Sequence, residues 1–298
     1  MIQFRKAKDS FLYNIKSEKY YDFRHNTNII GHSHKKLTNL VKDSISSAWN
    51  LQIDSIYHRR FMKFMETNFS DKYHIKFSFS LQEFFLKLFN KFNNSKIDII
   101  GERFKKYISY NEISINNDNN NDYNIKIYDF AEIYLNFGGN KEKINKYVEG
   151  IDKNNLAVFN YFWYPSFEIN INKADIVILP EIYCGNFKYV IILISKELNE
   201  FANFCEEIHS VPSLYLSSSL KNYYVAKSLE ENNIKIENND FIFADRIFSY
   251  KNISQIDNLY NKFLEKNILL NNIPPFYSYL PINLEEYQRK YVLRAFND

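Results

Sequence analysis

The side chains able to do chemistry are few and loosely spaced. His32 and His34 form an HxH pair, and His58 and His74 follow downstream. Imidazoles two positions apart could hold a metal, but no cluster of Cys, Asp or Glu completes a tetrahedral set. Glu181 lies just before Cys184, a pairing that suggests acid or thiol chemistry. No histidine is near it in sequence, and a cysteine in an apolar stretch is ordinarily inert. Asp22 and Arg24 read as surface or strand-edge groups. Phosphate-cradling loops are excluded. The chain has six glycines, Gly31, Gly101, Gly138, Gly139, Gly150 and Gly185, and neither GxGxxG nor GxxxxGK[ST] occurs. Glycine is what lets a backbone come close to a phosphate.

The elements that must position these groups follow from periodicity. Leu37, Leu40, Val41, Ile45 and Ala48 keep helical spacing over His34 to Ala48. Further helices are expected over Leu81 to Phe92, Glu197 to Ile208, Ser218 to Glu231, Ser254 to Lys266 and Leu284 to Phe296. Between them lie apolar, β-branched runs at Ile97–Ile100, Leu156–Phe159, Asp175–Leu179 and Tyr189–Ile194. Continuous apolar strands of this kind are buried on both faces, as in a parallel or mixed sheet covered by helices. Strands alternating with helices predict an α/β fold. The Asn-rich tract from Asn116 to Asp122 reads as a surface loop.

Composition narrows the function classes. The 298 residues are 45% hydrophobic, 18% aromatic and 24% charged, with a net charge of +3. That charge is too small for a nucleic-acid footprint, and Lys35-Lys36, Arg59-Arg60 and Lys105-Lys106 are scattered pairs. The aromatic wealth reads as core and subunit interface, so no nucleic-acid partner is expected. The longest apolar strip, Val190–Ile194, is far short of the ~20 residues that span a bilayer, so no membrane partner is expected either. The N-terminus has no apolar signal region. Two cysteines, Cys184 and Cys205, cannot make a disulfide framework, which fits a reducing cytoplasm.

Several segments in order resemble class III aminotransferases, the family that includes glutamate-1-semialdehyde aminomutases. Tyr20-Tyr21-Asp22-Phe23, followed by Ile30-Gly31-His32-Ser33-His34, resembles the family's opening strand and the GHxhP turn that leads into a helix, with Lys35 replacing the proline. That turn accounts for Gly31 and His32 better than a metal does. Ser80-Leu81-Gln82-Glu83 stands where the family has SGTEA. Ile97 to Phe104 resembles the strand before its YHG. Leu156 to Phe162 resembles LLIFDEV, and Asp175 to Lys188 resembles the lysine-bearing PDxxxLGKxiGGGxP. Leu214 to Leu220 resembles GTFxxNPL, and Leu280 to Phe296 the C-terminal helix. The chain is about a quarter to a third shorter than the domains of such enzymes need, and the shortfall is expected between Gly101 and Leu156.

The resemblance implies a fold type I pyridoxal-phosphate transferase: a mixed, mostly parallel sheet covered by helices, with a smaller α+β C-terminal domain. Its organisation would be an N-terminal segment over 1–50, a large α/β domain over 51–215 and a small domain over 216–298. Enzymes of that family join the cofactor aldehyde to a lysine and hold the protonated ring nitrogen with a carboxylate. Here the lysine position is Glu181, which cannot form an imine. The ring-nitrogen position is Asn160, a neutral amide. Leu81 replaces the phosphate-binding glycine, where its side chain is expected to intrude, and Leu214 replaces the threonine lent to the partner's phosphate. Three readings stay open. The first is a shortened, non-catalytic member with a vestigial site of Ser80, Glu83, Asn160 and Glu181. It would bind no cofactor and act as an interaction or regulatory subunit, as a homodimer or as a heterodimer with an active paralogue. The second is a divergent pyridoxal-dependent aminotransferase or aminomutase in which Lys188 or Lys173 takes over from Glu181. The third is a non-catalytic module whose remodelled pocket holds a cationic or sugar-like ligand.

Overall fold

A computed structural model describes residues 2–8, 10–24, 32, 39, 63, 65–67, 69, 72–78, 80–92, 95–113, 124–164, 169–180, 182–184, 187–205, 236, 238–281 and 284–297, with backbone alone over 182–184 and 187–189. Glu181, Leu214, His34, His58, the Asn-rich tract and the bulk of the helices expected over 34–48 and 218–231 lie outside the described residues.

The centre of the molecule is a sheet of seven strands. Its main path is ordered β4 (Tyr73–Ser78), β10 (Phe187–Ser195), β8 (Ile176–Ile178), β7 (Leu156–Asn160), β6 (Asn124–Asp129) and β5 (Lys96–Ile100). β5 to β8 run parallel, whereas β10 is antiparallel to both β8 and β4. The seventh strand, β9 (Ile182–Cys184), forms a hairpin with the start of β10. Val158, Phe159, Ile176, Val177 and Ile191–Ile194 are buried, as expected for strands covered on both faces.

Helix α1 (Leu81–Lys91) follows β4. Ser80 caps it, its Oγ accepting from the Glu83 N–H at 3.0 Å. Phe84, Phe85 and Leu88 repeat at helical spacing and enter the main core. Each such fully buried apolar side chain contributes about 1.5–3 kcal/mol. Helices α2 (Glu102–Tyr110), α3 (Phe130–Asn136) and α4 (Lys141–Glu149) complete the crossovers between β5, β6 and β7. Helix α5 (Asn199–Phe204) follows β10 and starts later than the expected Glu197 because residues 196–198 form a 3-10 turn ahead of it.

A second core adjoins the first, which also takes in Ala244, Ile247, Tyr277 and Tyr279. An N-terminal meander of β1 (Phe4–Lys8), β2 (Phe11–Asn14) and β3 (Lys19–Asp22) is completed by β13 (Ile268–Leu269), which runs parallel to β3. Beside it, β11 (Phe241–Ala244), β12 (Ile247–Tyr250) and β14 (Ser278–Tyr279) form a three-stranded sheet. Helices α6 (Ile256–Glu265) and α7 (Glu286–Asn297) pack with these strands. Phe11, Tyr21 and Phe23 share one apolar cluster with Phe241, Phe248, Phe263 and Phe296. The first and last parts of the chain thus build one unit.

Asp22 is neither a surface nor an edge group. It is buried at the end of β3, where Arg24 donates through Nε at 2.8 Å and through an η nitrogen at 3.0 Å, and His32 Nε2 lies 3.1 Å away. Burial alone would raise its carboxyl. The hydrogen bonds from His32 and Arg24, with the Arg24 charge, outweigh that and hold it well below the usual carboxylate range.

Candidate functional site at the carboxyl edge of the sheet

An open α/β sheet takes its ligands outside the carboxyl ends of its parallel strands. Asn160 and Ser80 both stand at that edge. Asn160 ends β7, in register with Asp129 at the end of β6 and Ile178 at the end of β8. Ser78 ends β4 opposite Val190, and Ser80 then opens α1. Two strands, β8 and β10, separate β4 from β7. At ~4.8 Å per strand spacing the two chain positions are roughly 14 Å apart along the sheet. The β9–β10 hairpin extends the same edge, since Lys188 pairs with Tyr183 two residues beyond the Val190–Ser78 pair.

Asn160 is 0% exposed. Its Oδ1 accepts from the Phe162 N–H at 3.1 Å, and its Nδ2 has no hydrogen-bond partner. Leaving such a donor unmet costs about 1–3 kcal/mol. At the start of α1, the Glu83 N–H goes to Ser80 Oγ and the Phe84 N–H to the Ser80 carbonyl. The Glu83 carboxylate lies 3.3 Å from Ser78 Oγ and pairs with Lys87 at 2.9 Å. Leu81 does not intrude on this turn. Its side chain is 3% exposed and packs into the main core with Phe84 and Phe85, because the first helical residue here faces the sheet.

Aromatic side chains of the chain itself crowd the same edge. Trp163, three residues after Asn160, lies 5.6 Å from Phe104, 4.9 Å from Tyr107 and 6.1 Å from Tyr277, ring centre to ring centre. Its carbonyl accepts from the Tyr279 hydroxyl at 2.7 Å. Sequence reasoning missed Trp163 and Tyr277; the only signal was the general excess of aromatics.

Lys173 stands at the wrong end. Its Nζ donates to the carbonyls of Glu149 and Ile151, closing the end of α4 just before β7 begins. That is the amino edge of the sheet, a full strand away from Asn160. Cys205 is buried, and burial pushes its thiol up to about 11, which leaves it un-ionised and unreactive. No group of three or more His, Cys, Asp or Glu among the described residues could hold a metal. No helix among them is long and apolar enough to cross a membrane.

These residues do not fit a protonated pyridoxal ring. A pyridinium N–H needs an acceptor, ideally an anion. Asn160 supplies no anion there: it is a neutral amide whose oxygen accepts from the Phe162 N–H and whose NH2 group can only donate. At the start of α1 the Ser80 side chain takes up the Glu83 N–H.

No family model and no curated protein matches the sequence. Among solved structures, the chain is similar to a transaminase with pyridoxal phosphate bound, with a TM-score of 0.62, 11% identity and coverage of 99% of this chain and 89% of that one. It is also similar to an aminotransferase from Vibrio fluvialis in its PMP-bound form, with a TM-score of 0.62, 11% identity and coverage of 100% and 91%. The ornithine delta-aminotransferase of Plasmodium falciparum gives a TM-score of 0.56, 13% identity and coverage of 99% and 93%. The likeness runs end to end in each. The chain has the α/β fold of the fold type I, pyridoxal-phosphate-dependent transaminases.

Proposed function

We propose that this is a transaminase-fold protein without pyridoxal chemistry, serving as an interaction or regulatory subunit. The observation that carries the reading is Asn160. A fully buried neutral amide, with its oxygen committed to the Phe162 N–H and a bare donor remaining, stands where the resemblance puts a carboxylate. Glu181 at the lysine position in the sequence points the same way. The subunit would pair as a homodimer or with an active paralogue, since the fold's working role would then lie in its surfaces and not in its crevice.

Incubating the purified chain with pyridoxal phosphate tests this. The expected result is no aldimine absorbance band, no lysine trapped by borohydride and no rise in melting temperature. A band trapped onto one lysine, with Lys188 the first position to inspect by peptide mapping, would replace this reading with that of a divergent enzyme. Light scattering of the chain alone and mixed with a paralogue then reads the pairing. A chain that stays monomeric in both would overturn the subunit role.

A further inference from the structure

The two cores meet where Ala244, Ile247, Tyr277 and Tyr279 pack into the main core, and buried polar groups lie in the same seam. Arg103, on α2, is buried between them. Its side chain donates to Glu132 Oε1 at 2.9 Å, to Ser249 Oγ at 2.9 Å and to the Tyr250 carbonyl at 2.7 Å, so it bridges α3 and β12. Beside it Asp129, 0% exposed, receives the Tyr277 hydroxyl on Oδ2 at 2.5 Å, while its Oδ1 accepts from the Ala131 N–H. Tyr134 bonds Asp245 across the same seam.

Arg103 and Glu132 neutralise each other. Asp129 is then the third charged group and has no cation of its own. The groups acting on it are Tyr277 from the C-terminal unit, Glu132 and the Ala131 amide from α3, and Arg103 from α2, with Asn160 of β7 a neutral register neighbour. Ionising Asp129 in the closed junction strands a negative charge beside Glu132, away from water. Opening the junction lets water reach it.

We propose that the Asp129–Tyr277 contact is an acid-tightened latch, which holds the C-terminal unit against the seven-stranded sheet and loosens as the solution approaches neutrality. Burial first, and the Glu132 charge second, push the Asp129 carboxyl up to about 7, against the opposing pull of Tyr277, the Ala131 amide and Arg103. The closed junction therefore keeps a proton that the open one gives up between about pH 4 and pH 7. The inference stands apart from the cofactor question, because none of these residues is asked to bind a ligand.

Native-state hydrogen exchange on the full chain, corrected for intrinsic rates, tests it between pH 5 and 8. The opening constant for amides of β11, β12 and β14 is expected to rise by up to about tenfold per pH unit to pH 7 and then level off. Asp129→Asn should abolish the slope. Tyr277→Phe should increase opening at every pH yet keep the slope. Exchange independent of pH in the native chain, an unaltered slope in Asp129→Asn, or unchanged protection in Tyr277→Phe would each overturn the latch.

Discussion

Gly101 shows how closely the chain is built around Asp129. It caps α2 with φ at +142°, a conformation that L side chains rarely adopt. A Cβ there would lie 2.9 Å from Asp129 Cβ and 3.1 Å from Glu132 Oε2. Both neighbours are fixed by their own hydrogen bonds, so neither can give way cheaply. Gly101→Ala is therefore expected to cost about 1–3 kcal/mol from backbone strain, with more from the clash. Gly150 makes the control. Its φ is −77°, and the nearest atom to an added Cβ is the Tyr147 carbonyl oxygen at 3.4 Å. Gly150→Ala should be close to neutral. Urea unfolding midpoints for the two variants, at unchanged slope, check the contrast. In a chain with so few glycines, Gly101 is held by a buried carboxylate and not by a phosphate.

At the scale of elements, the sequence is legible where burial is two-sided or cleanly amphipathic. β7, β8 and β10 announce themselves as apolar runs, and α1 shows its face through Phe84, Phe85 and Leu88. β4 is hidden because Lys76 and Ser78 are among its buried positions, which spoils the alternation. α2 carries Phe104 and Ile108 on its inner side but sets the buried Arg103 beside them, which blurs its face, and α3 is covered along six of its seven residues, so it presents no apolar stripe against a polar one. β13 is two residues long and exists through its partner β3, almost the whole chain away. At the site, Asn160 could be read as a neutral residue at a strand end. The crowding by Trp163 and Tyr277 depends on contacts that no local pattern encodes. The start of α1 offers a direct test of element stability. Ser80→Ala removes the acceptor for the Glu83 N–H, and an N-cap loss of this type costs about 1 kcal/mol. A correspondingly lower urea midpoint with unchanged far-ultraviolet circular dichroism is expected; a midpoint equal to the native one would mean that water caps the turn as well as Ser80 does.

For the whole molecule, buried carboxylates among the described residues pull the dependence of stability on pH in opposite directions. Asp22, inside the N- and C-terminal unit, is held well below its ordinary value of 3.8 by His32 and Arg24. The stability it adds is complete above about pH 4 and is lost as the pH falls below that, when the unfolded chain takes up the proton first. Asp129, at the junction of the two cores, is raised to about 7. Its folded form keeps a proton that the unfolded chain releases near 3.8, so the stability it contributes is present at low pH and declines as the pH rises to about 7. Asp175, also raised by burial, has the same sign as Asp129. Together these groups place the stability maximum at or just below about pH 4, well on the acid side of neutrality, where folded Asp22 is charged and folded Asp129 is not. Urea midpoints from pH 3 to 8 should trace that maximum. Asp129→Asn should flatten the neutral limb, and Asp22→Asn should lower the whole curve while weakening the acid limb. A native maximum at or above pH 7 would show that Asp129 is ionised in the folded chain, and with it that the two cores are held together by a charged junction and not by a protonated one.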